Sequence, residues 1–345
     1  MKRIIIAAVV IFLALVLFVV MIIGKMTENV PTQPETTLSS ASSSATQSTP
    51  PPTPPPTDPP PTWMAPAEDR KITANQYFVF DVTQDQFVEI SGNLDERIYP
   101  ASITKLFTCY VAMQYLQSDA VLTVGDEMDK VALGSSVARL VKGDQLTVAQ
   151  LTEAMLLPSG NDAAYVLAVN AGRVILDNPK ASVNKAVEAF MGAMNDRAKA
   201  VGMTGTHFSN PDGIHRNTHY TTFADLALLG KMSLQNPTIM EMAKVAEDQV
   251  EFVYTAPRTE EKPDALAPGH WKNTNYLVVP ESEYYCPYAT GLKTGKTPAA
   301  GNCLLTSFEY EGRILIIGVF GCPENEDRFV DTLQLFNKTI GITEK

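Results

Sequence analysis

The chain has 345 residues, 45% of which are hydrophobic, and a formal net charge of −11. A chain of this length can bury a sizeable core, either in one large domain or in two lobes. Its acidic balance argues against nucleic acid as a partner.

The first segment is strongly apolar. Residues 4–23 are twenty consecutive apolar residues, long enough for a helix that crosses a bilayer. Lys2 and Arg3 precede them, so the positive-inside rule places the N-terminus in the cytoplasm. A cleaved signal peptide is the alternative, but its apolar core is usually shorter, and residues 24–26 offer no A-x-A cleavage pattern. We expect residues 1–26 to form a cytoplasmic stub and a retained transmembrane anchor.

The next segment has the composition of a linker. Residues 27–68 hold twelve of the chain's 24 prolines, mixed with Ser and Thr, and cannot form a core. The prolines of 50–61 favour an extended polyproline helix, a semi-rigid spacer of roughly 35–40 Å. The sequence therefore predicts a globular domain over residues 69–345, held some distance outside the membrane.

Strand-like segments lie at both ends of this domain, and helical patterns lie between them. Strand-like runs predict strands over 77–82, 86–90, 290–295, 302–310 and 313–321. Apolar residues at helical spacing predict helices over 102–118, 147–156, 161–172, 183–201, 222–235 and 324–340. This order predicts an α+β fold, in which one antiparallel sheet is built from both ends of the domain, is flanked by helices and carries a helical lobe.

The first candidate motif, Ser-x-x-Lys, opens the first predicted helix. Ser102 and Lys105 lie one turn apart, so their side chains share a face. The structural interpretation is that Ser102 caps the helix and that Lys105 is solvated. The chemical interpretation is a serine nucleophile beside a lysine base, and it needs partners elsewhere in the chain.

Two more short motifs follow. Residues 159–161, Ser-Gly-Asn, lie between two helical segments, where a short exposed turn is expected, and alone they read as an ordinary N-cap. Residues 293–295, Lys-Thr-Gly, lie on a predicted strand. The missing side chain of Gly295 would let a ligand backbone lie against the strand edge.

Together and in this order, Ser-x-x-Lys, Ser-x-Asn and Lys-Thr-Gly are typical of penicillin-binding proteins and serine β-lactamases. The chain resembles the low-molecular-mass penicillin-binding proteins, the serine D-alanyl-D-alanine carboxypeptidases of peptidase family S11, over about residues 72–322. The stretches SGNDAA, 208–229 and GLKTG also resemble that family. The resemblance implies a β-lactamase/transpeptidase-like fold and an extracytoplasmic domain at a bacterial cell membrane, which acts on peptidoglycan stem peptides and is acylated by β-lactam antibiotics.

The resemblance also implies roles for the motif residues. Ser102 would attack the terminal D-Ala-D-Ala bond, with Lys105 as its base, and form an acyl-enzyme. An ordinary lysine is only about 0.04% neutral at pH 7, so burial and a second cation, such as Lys293, must lower the pKa of Lys105 to roughly 7–8. Ser159 would relay a proton to the leaving amine, and Asn161 would hold the substrate amide.

The substrate would pair as an added strand with the edge of the strand that carries the third motif. Lys293 and Thr294 would bind its terminal carboxylate. The residues implied along this edge are Lys293, Thr294, Gly295, Lys296 and Thr297.

The oxyanion would be held by the backbone N–H groups of Ser102 and Lys296. The chain departs from relatives at two positions. Several relatives carry His, Tyr or Phe at the position of Lys296, and some carry an arginine near the substrate carboxylate at the position of Thr274.

Nothing in the sequence indicates a cofactor or a metal. The four histidines are scattered, and His215-x-x-x-His219 lies in a loop-like stretch. The four cysteines form no C-x-x-C pair, which argues against a zinc site. Cys303 and Cys322 lie in neighbouring predicted strands but are not clearly opposite one another, so we assign no disulfide.

Three other functions stay open. A class A β-lactamase needs a glutamate that activates water, and the next glutamate after the second motif, Glu188, lies in a helical pattern without the expected loop. A non-enzymatic wall-binding module would not need all three motifs intact. A D,D-endopeptidase would use the same chemistry on crosslinked peptides.

Overall fold

A computed structural model of the protein describes residues 70–253 and 269–341. The predicted anchor (1–26) and the predicted linker (27–68) lie outside these residues. Among the helices of the described part, none is long and apolar enough to cross a bilayer.

The described residues form nine strands and seven α-helices. The strands are β1 (Gln76–Asp81), β2 (Gln86–Ile90), β3 (Val121–Thr123), β4 (Gln145–Thr147), β5 (Glu247–Gln249), β6 (His270–Lys272), β7 (Ala289–Thr297), β8 (Gly301–Tyr310) and β9 (Arg313–Cys322). The helices are α1 (Thr104–Ala112), α2 (Val148–Leu156), α3 (Asn161–Ile175), α4 (Val183–Ala200), α5 (Phe223–Leu234), α6 (Pro237–Ala243) and α7 (Asp327–Ile340).

A five-stranded antiparallel sheet in the order β2-β1-β9-β8-β7 forms the centre of the fold. The first strand pairs directly with the last, with Phe78 opposite Gly318, so the two ends of the domain meet in one sheet. β8 and β9 form a hairpin that turns at Glu311 and Gly312, and both residues have positive φ, as a tight two-residue turn requires. The predicted α+β architecture is confirmed, and β7 lies at an edge of the sheet.

The helices differ from their predicted bounds at a few points. α1 begins at Thr104, because residues Ala101–Ile103 form a separate 3-10 turn, and it ends at Ala112 instead of continuing to 118. The sequence patterns do not predict α6, a helix of seven residues with Pro237 in its first turn. The two small ladders, β3–β4 and β5–β6, were also not predicted, because three-residue strands are too short to show a period.

Each face of the sheet covers its own core. One face packs against the helices that precede β7, where Phe78, Phe223 and Phe320 are in contact with one another. The other face packs against α7, where the rings of Phe308 and Phe336 stack at 4.2 Å. The sheet is therefore the middle layer, and β7 lies beside the helical lobe.

The four cysteines are free and buried. Cys303 belongs to the core on the helical-lobe side, whereas Cys322 belongs to the core under α7. Side chains on opposite faces of a sheet point away from each other, so these two thiols do not form a disulfide.

Candidate active site

Ser102 lies on a tight turn that two glycines approach closely. Residues Ala101–Ile103 form the 3-10 turn before α1, and Ala101 has a φ of 48°. A Cβ at Gly213 would lie 2.0 Å from the Ala101 carbonyl oxygen, and one at Gly295 would lie 3.0 Å from the Ala101 Cβ. Gly295 was expected to leave room for a ligand; in the structure, that space holds the turn that carries Ser102.

Lys105 lies directly beside Ser102, and its hydrogen-bond partners orient the amine to accept the proton of the Ser102 hydroxyl. Its Nζ is 2.8 Å from Ser102 Oγ, 2.7 Å from Asn161 Oδ1 and 2.7 Å from the backbone oxygen of Asp212. The last two atoms only accept hydrogen bonds. A neutral amine has two N–H donors and one lone pair, so both donors are used by Asn161 and Asp212. In this neutral form the lone pair is left for the proton of the Ser102 hydroxyl, whereas the ammonium form donates to Ser102 Oγ.

Burial is what makes this amine a base near neutral pH. The Lys105 side chain has no solvent exposure, and desolvation lowers its pKa to about 8, while the carboxylates of Asp212 and Asp162 act in the opposite direction. The sequence predicts that Lys293 helps to lower this pKa. In the structure, the charge repulsion between the two lysines acts on Lys293 instead. Burial lowers the pKa of Lys293 well below the ordinary value, and the charges of Lys105 and Arg328 lower it further.

The second motif forms the turn between α2 and α3. Ser159 is buried and has a φ of 63°, an uncommon conformation for a residue with a side chain. Asn161 begins α3, and its backbone N–H donates to the Ser136 carbonyl at 2.9 Å. The Asn161 side chain was predicted to hold the substrate amide. Here its oxygen accepts from Lys105, which orients that amine toward Ser102.

The third motif lies on β7, with its lysine turned inward. Lys293 Nζ is 3.3 Å from Thr274 Oγ1 and 3.4 Å from Thr294 Oγ1, and the two hydroxyl oxygens are 2.6 Å apart. An amine and two hydroxyls at one point are suited to an anion. Thr274 is therefore part of this cluster.

The side chains of Lys296 and Thr297, the last two residues predicted along this edge, do not join the cluster around Lys293. Lys296 is exposed, and strand alternation places its side chain on the opposite face from Gly295. Only its backbone therefore borders the turn of Ser102. The Thr297 hydroxyl accepts the Ala300 N–H at 3.0 Å, so it stabilises the turn between β7 and β8.

Several residues of the site carry no clear signal in the sequence. Asp212 supplies a backbone oxygen to Lys105, and the turn signal N-P-D-G at 210–213 was the only local sign of it. Asp162 accepts the N–H groups of Ala138 and Leu140 and so holds the loop before β4 against the second motif. Arg328 of α7 donates to the Gly295 carbonyl at 3.3 Å, a contact between segments 33 residues apart that no spacing rule predicts.

The known proteins that this chain resembles are D-alanyl-D-alanine carboxypeptidases, as the three motifs in the site predict. The sequence matches the family model of peptidase family S11, D-alanyl-D-alanine carboxypeptidase, over residues 62–324. The chain belongs to the S11 D-alanyl-D-alanine carboxypeptidase family. The resemblance inferred from the three motifs is confirmed.

Similar D-alanyl-D-alanine carboxypeptidases come from several bacteria. The chain is 32% identical over 247 residues to a D-alanyl-D-alanine carboxypeptidase of Streptomyces sp. (strain K15), which covers 70% of this chain and 79% of that protein. It is 30% identical to the carboxypeptidase DacC of Escherichia coli, over 78% of this chain and 61% of DacC. It is also 30% identical to the carboxypeptidase DacF of Bacillus subtilis, over 68% of this chain and 54% of DacF. The chain thus spans little more than half the length of some curated relatives.

Solved structures of a DD-transpeptidase and of a D-alanyl-D-alanine carboxypeptidase share the fold. The Streptomyces K15 DD-transpeptidase superposes with a TM-score of 0.68 at 29% identity, over 79% of this chain and 98% of that chain. The D-alanyl-D-alanine carboxypeptidase DacD of Francisella tularensis gives a TM-score of 0.63 at 26% identity, over 79% of this chain and 71% of that chain. These matches support the α+β, transpeptidase-like assignment.

Proposed function

We propose that this protein is a serine-type D-Ala-D-Ala carboxypeptidase, which removes the terminal D-alanine from peptidoglycan stem pentapeptides through an acyl-enzyme on Ser102. The observation that carries this proposal is the contact of 2.8 Å between Lys105 Nζ and Ser102 Oγ, with two fixed acceptors around the amine. The family supports the substrate class.

The proposed first step is acylation. Neutral Lys105 takes the Ser102 proton as Oγ attacks the carbonyl carbon of the scissile peptide bond. The resulting oxyanion lies between the N–H groups of Ser102 and Lys296. The close approach of Gly295 to the Ser102 turn supports this placement. The proton then passes by way of Ser159 to the amide nitrogen, the C–N bond breaks, and D-alanine leaves.

The second step is hydrolysis of the ester. Water gives a proton to Lys105, its oxygen adds to the acyl carbon, and collapse of the intermediate returns the proton to Ser102 Oγ. The products are the shortened peptide, with a new carboxylate, and the free enzyme.

Substrate binding would favour the charged form of the third-motif lysine. A buried Lys293 with a lowered pKa favours the neutral amine, whereas a bound carboxylate favours the ammonium ion. We propose that the terminal carboxylate of the substrate binds Lys293, Thr294 and Thr274. The 2.6 Å contact between the two threonine hydroxyls supports this common site.

β-Lactam antibiotics would be inhibitors rather than good substrates. Among the described residues, the hydrogen-bond partners of Ser102 and Lys105 include no side-chain carboxylate that could activate water. Glu188, the glutamate considered in the sequence, is exposed on α4. We expect stable labelling by a fluorescent penicillin and nitrocefin turnover near background.

The same acyl-enzyme could be formed from other peptides or passed to other acceptors. A D,D-endopeptidase would form it from crosslinked dimers. The name DD-transpeptidase, carried by the Streptomyces K15 structure, gives a reason to test an amine acceptor in place of water.

The decisive experiment compares substrates by mass spectrometry. The full chain in detergent is incubated with a stem pentapeptide, with crosslinked dimers, and with pentapeptide plus an amino-acid acceptor. We expect release of D-alanine from the pentapeptide and none from Ser102→Ala. Ser182→Ala, at an exposed serine that makes no capping bond, is the matched control with parental activity. Release of D-alanine by Ser102→Ala at the parental rate would overturn the proposal.

We also propose that residues 1–26 anchor the protein in the bacterial cell membrane, with the catalytic domain outside. The support is the run of twenty apolar residues after Lys2 and Arg3. Cell fractionation should place the full chain with the membranes and a variant that lacks residues 1–26 in the soluble fraction. Recovery of a soluble, N-terminally shortened parental chain would contradict a retained anchor.

A further inference from the structure

His219 is a buried histidine to which the mechanism assigns no role. It lies 115 residues after Thr104, yet its Nε2 is 2.8 Å from Thr104 Oγ1. Its other ring nitrogen, Nδ1, lies 3.1 Å from the backbone N–H of Ser209. An N–H group can only donate, so Nδ1 accepts and carries no proton. The proton of the neutral ring is therefore on Nε2.

This tautomer gives the next hydrogen bonds a direction. Nε2–H donates to Thr104 Oγ1, and the hydroxyl proton of Thr104 is free to donate onward. The acceptor is the carbonyl oxygen of Ala101, at 2.8 Å. The relay thus runs from the Ser209 N–H, through the His219 ring and the Thr104 hydroxyl, to Ala101.

The relay ends on the peptide group that contains the Ser102 N–H. The carbonyl of Ala101 and the N–H of Ser102 belong to one planar unit, in which the oxygen and the hydrogen point in opposite directions. Fixing the oxygen therefore aims the N–H. Ala101 has a φ of 48°, a conformation that a residue with a side chain rarely adopts without support from its surroundings.

The ring also stays in the required state across a wide pH range. Burial is the main cause that lowers the pKa of His219 to about 3, and the positive charges that face it, on His207, His215, Arg216 and Lys105, lower it in the same direction. A neutral ring both accepts and donates, whereas a protonated ring could not accept from Ser209.

We propose that His219 is a positioning residue: through Thr104 it holds the Ala101–Ser102 peptide group so that the Ser102 N–H points at the oxyanion. This inference rests on the proposed acyl-enzyme chemistry. It predicts that losing the relay slows formation of the acyl-enzyme and leaves initial binding of the β-lactam unchanged.

The test uses isosteric variants of Thr104 in the full chain. Thr104→Val removes the hydroxyl and keeps the shape, and Thr104→Ser restores the hydroxyl. Thr152→Val is the matched control, because Thr152 is also buried and donates to a helix carbonyl at 2.8 Å. Acylation by a fluorescent penicillin gives the limiting rate and the dissociation constant of the first complex, and thermal unfolding gives stability.

We expect the limiting acylation rate of Thr104→Val to fall about tenfold or more, with the dissociation constant within about twofold of the parental value. Thr104→Ser should acylate within about twofold of the parental rate, and Thr152→Val should acylate at the parental rate despite a lower unfolding temperature. A folded Thr104→Val that acylates at the parental rate, or a Thr104→Ser as slow as the valine variant, would overturn the relay.

A measurement on the parental protein covers the case in which Thr104→Val does not fold. Nitrogen-15 spectra of the histidine rings should show one ring that remains neutral at about pH 5, with its proton on Nε2. A proton on Nδ1 of that ring would overturn the relay. If the parental chain is not acylated at all, the proposed function fails instead, so the two failures are distinguishable.

Discussion

The pH dependence of acylation tests whether Lys105 is the base. With a pKa of about 8, the amine is about 9% neutral at pH 7, compared with about 0.04% for an ordinary lysine, so burial raises the reactive fraction roughly 200-fold. The limiting rate should therefore rise about tenfold between pH 7 and a plateau above about pH 9, as Lys105 loses its proton. Saturating β-lactam is used, so that changes in binding do not enter the profile.

A second perturbation moves the midpoint in a known direction. The Asp212 carboxylate raises the pKa of Lys105, whereas the hydrogen bond to Lys105 comes from the Asp212 backbone. Asp212→Asn should therefore shift the midpoint below the parental value and keep the contact. Asp85→Asn, in the exposed turn between β1 and β2, is the control and should leave the midpoint unchanged. A rate that still rises tenfold per pH unit at pH 9.5 would refute Lys105 as a buried base.

Three further predictions concern the frame of the site. Gly213→Ala should reduce acylation by penicillin severely and destabilise the fold by about 2 kcal/mol or more in urea unfolding, because its φ is +87° and the new Cβ would lie 2.0 Å from the Ala101 oxygen; parental acylation would contradict this. Asp81→Asn should cost about 1–3 kcal/mol of stability with little effect on acylation, because it weakens the pair with partly exposed Arg313 at the ends of the inner strands β1 and β9, which includes no residue of the site; an unchanged unfolding midpoint would be the contrary result. A thiol reagent should modify almost no cysteine in the native protein and four in denaturant without a reductant, and fewer than four would indicate a disulfide; the cysteines are Cys109, Cys286, Cys303 and Cys322.

Much of the fold follows from local patterns. β8 and β9 carry apolar runs, and the tight turn Glu311-Gly312 separates them, so both strands could be predicted almost to the residue. α6 and the small ladders could not be predicted, because elements of three to seven residues show too little periodicity. α1 ended earlier than its apolar stripe, because residues after Ala112 continue as separate turns.

The site divides in the same way. Ser102 and Lys105 could be paired from their spacing, because residues one turn apart share a helix face. The partners of Lys105 could not all be foreseen, because Asp212 contributes a backbone oxygen, which every residue type possesses. Arg328 reaches the Gly295 carbonyl from another element of the fold, so no local pattern contains it.

The sequence by itself determined which groups can do chemistry, the order in which they occur and the family to which the chain belongs. Only the tertiary structure decided how those groups behave. The pKa of Lys105 depends on which distant segments exclude water from it, and the aim of the Ser102 N–H depends on a peptide plane held from outside its own turn. Desolvation and orientation are properties of the space around a residue, and that space is filled by segments that lie far apart in the chain.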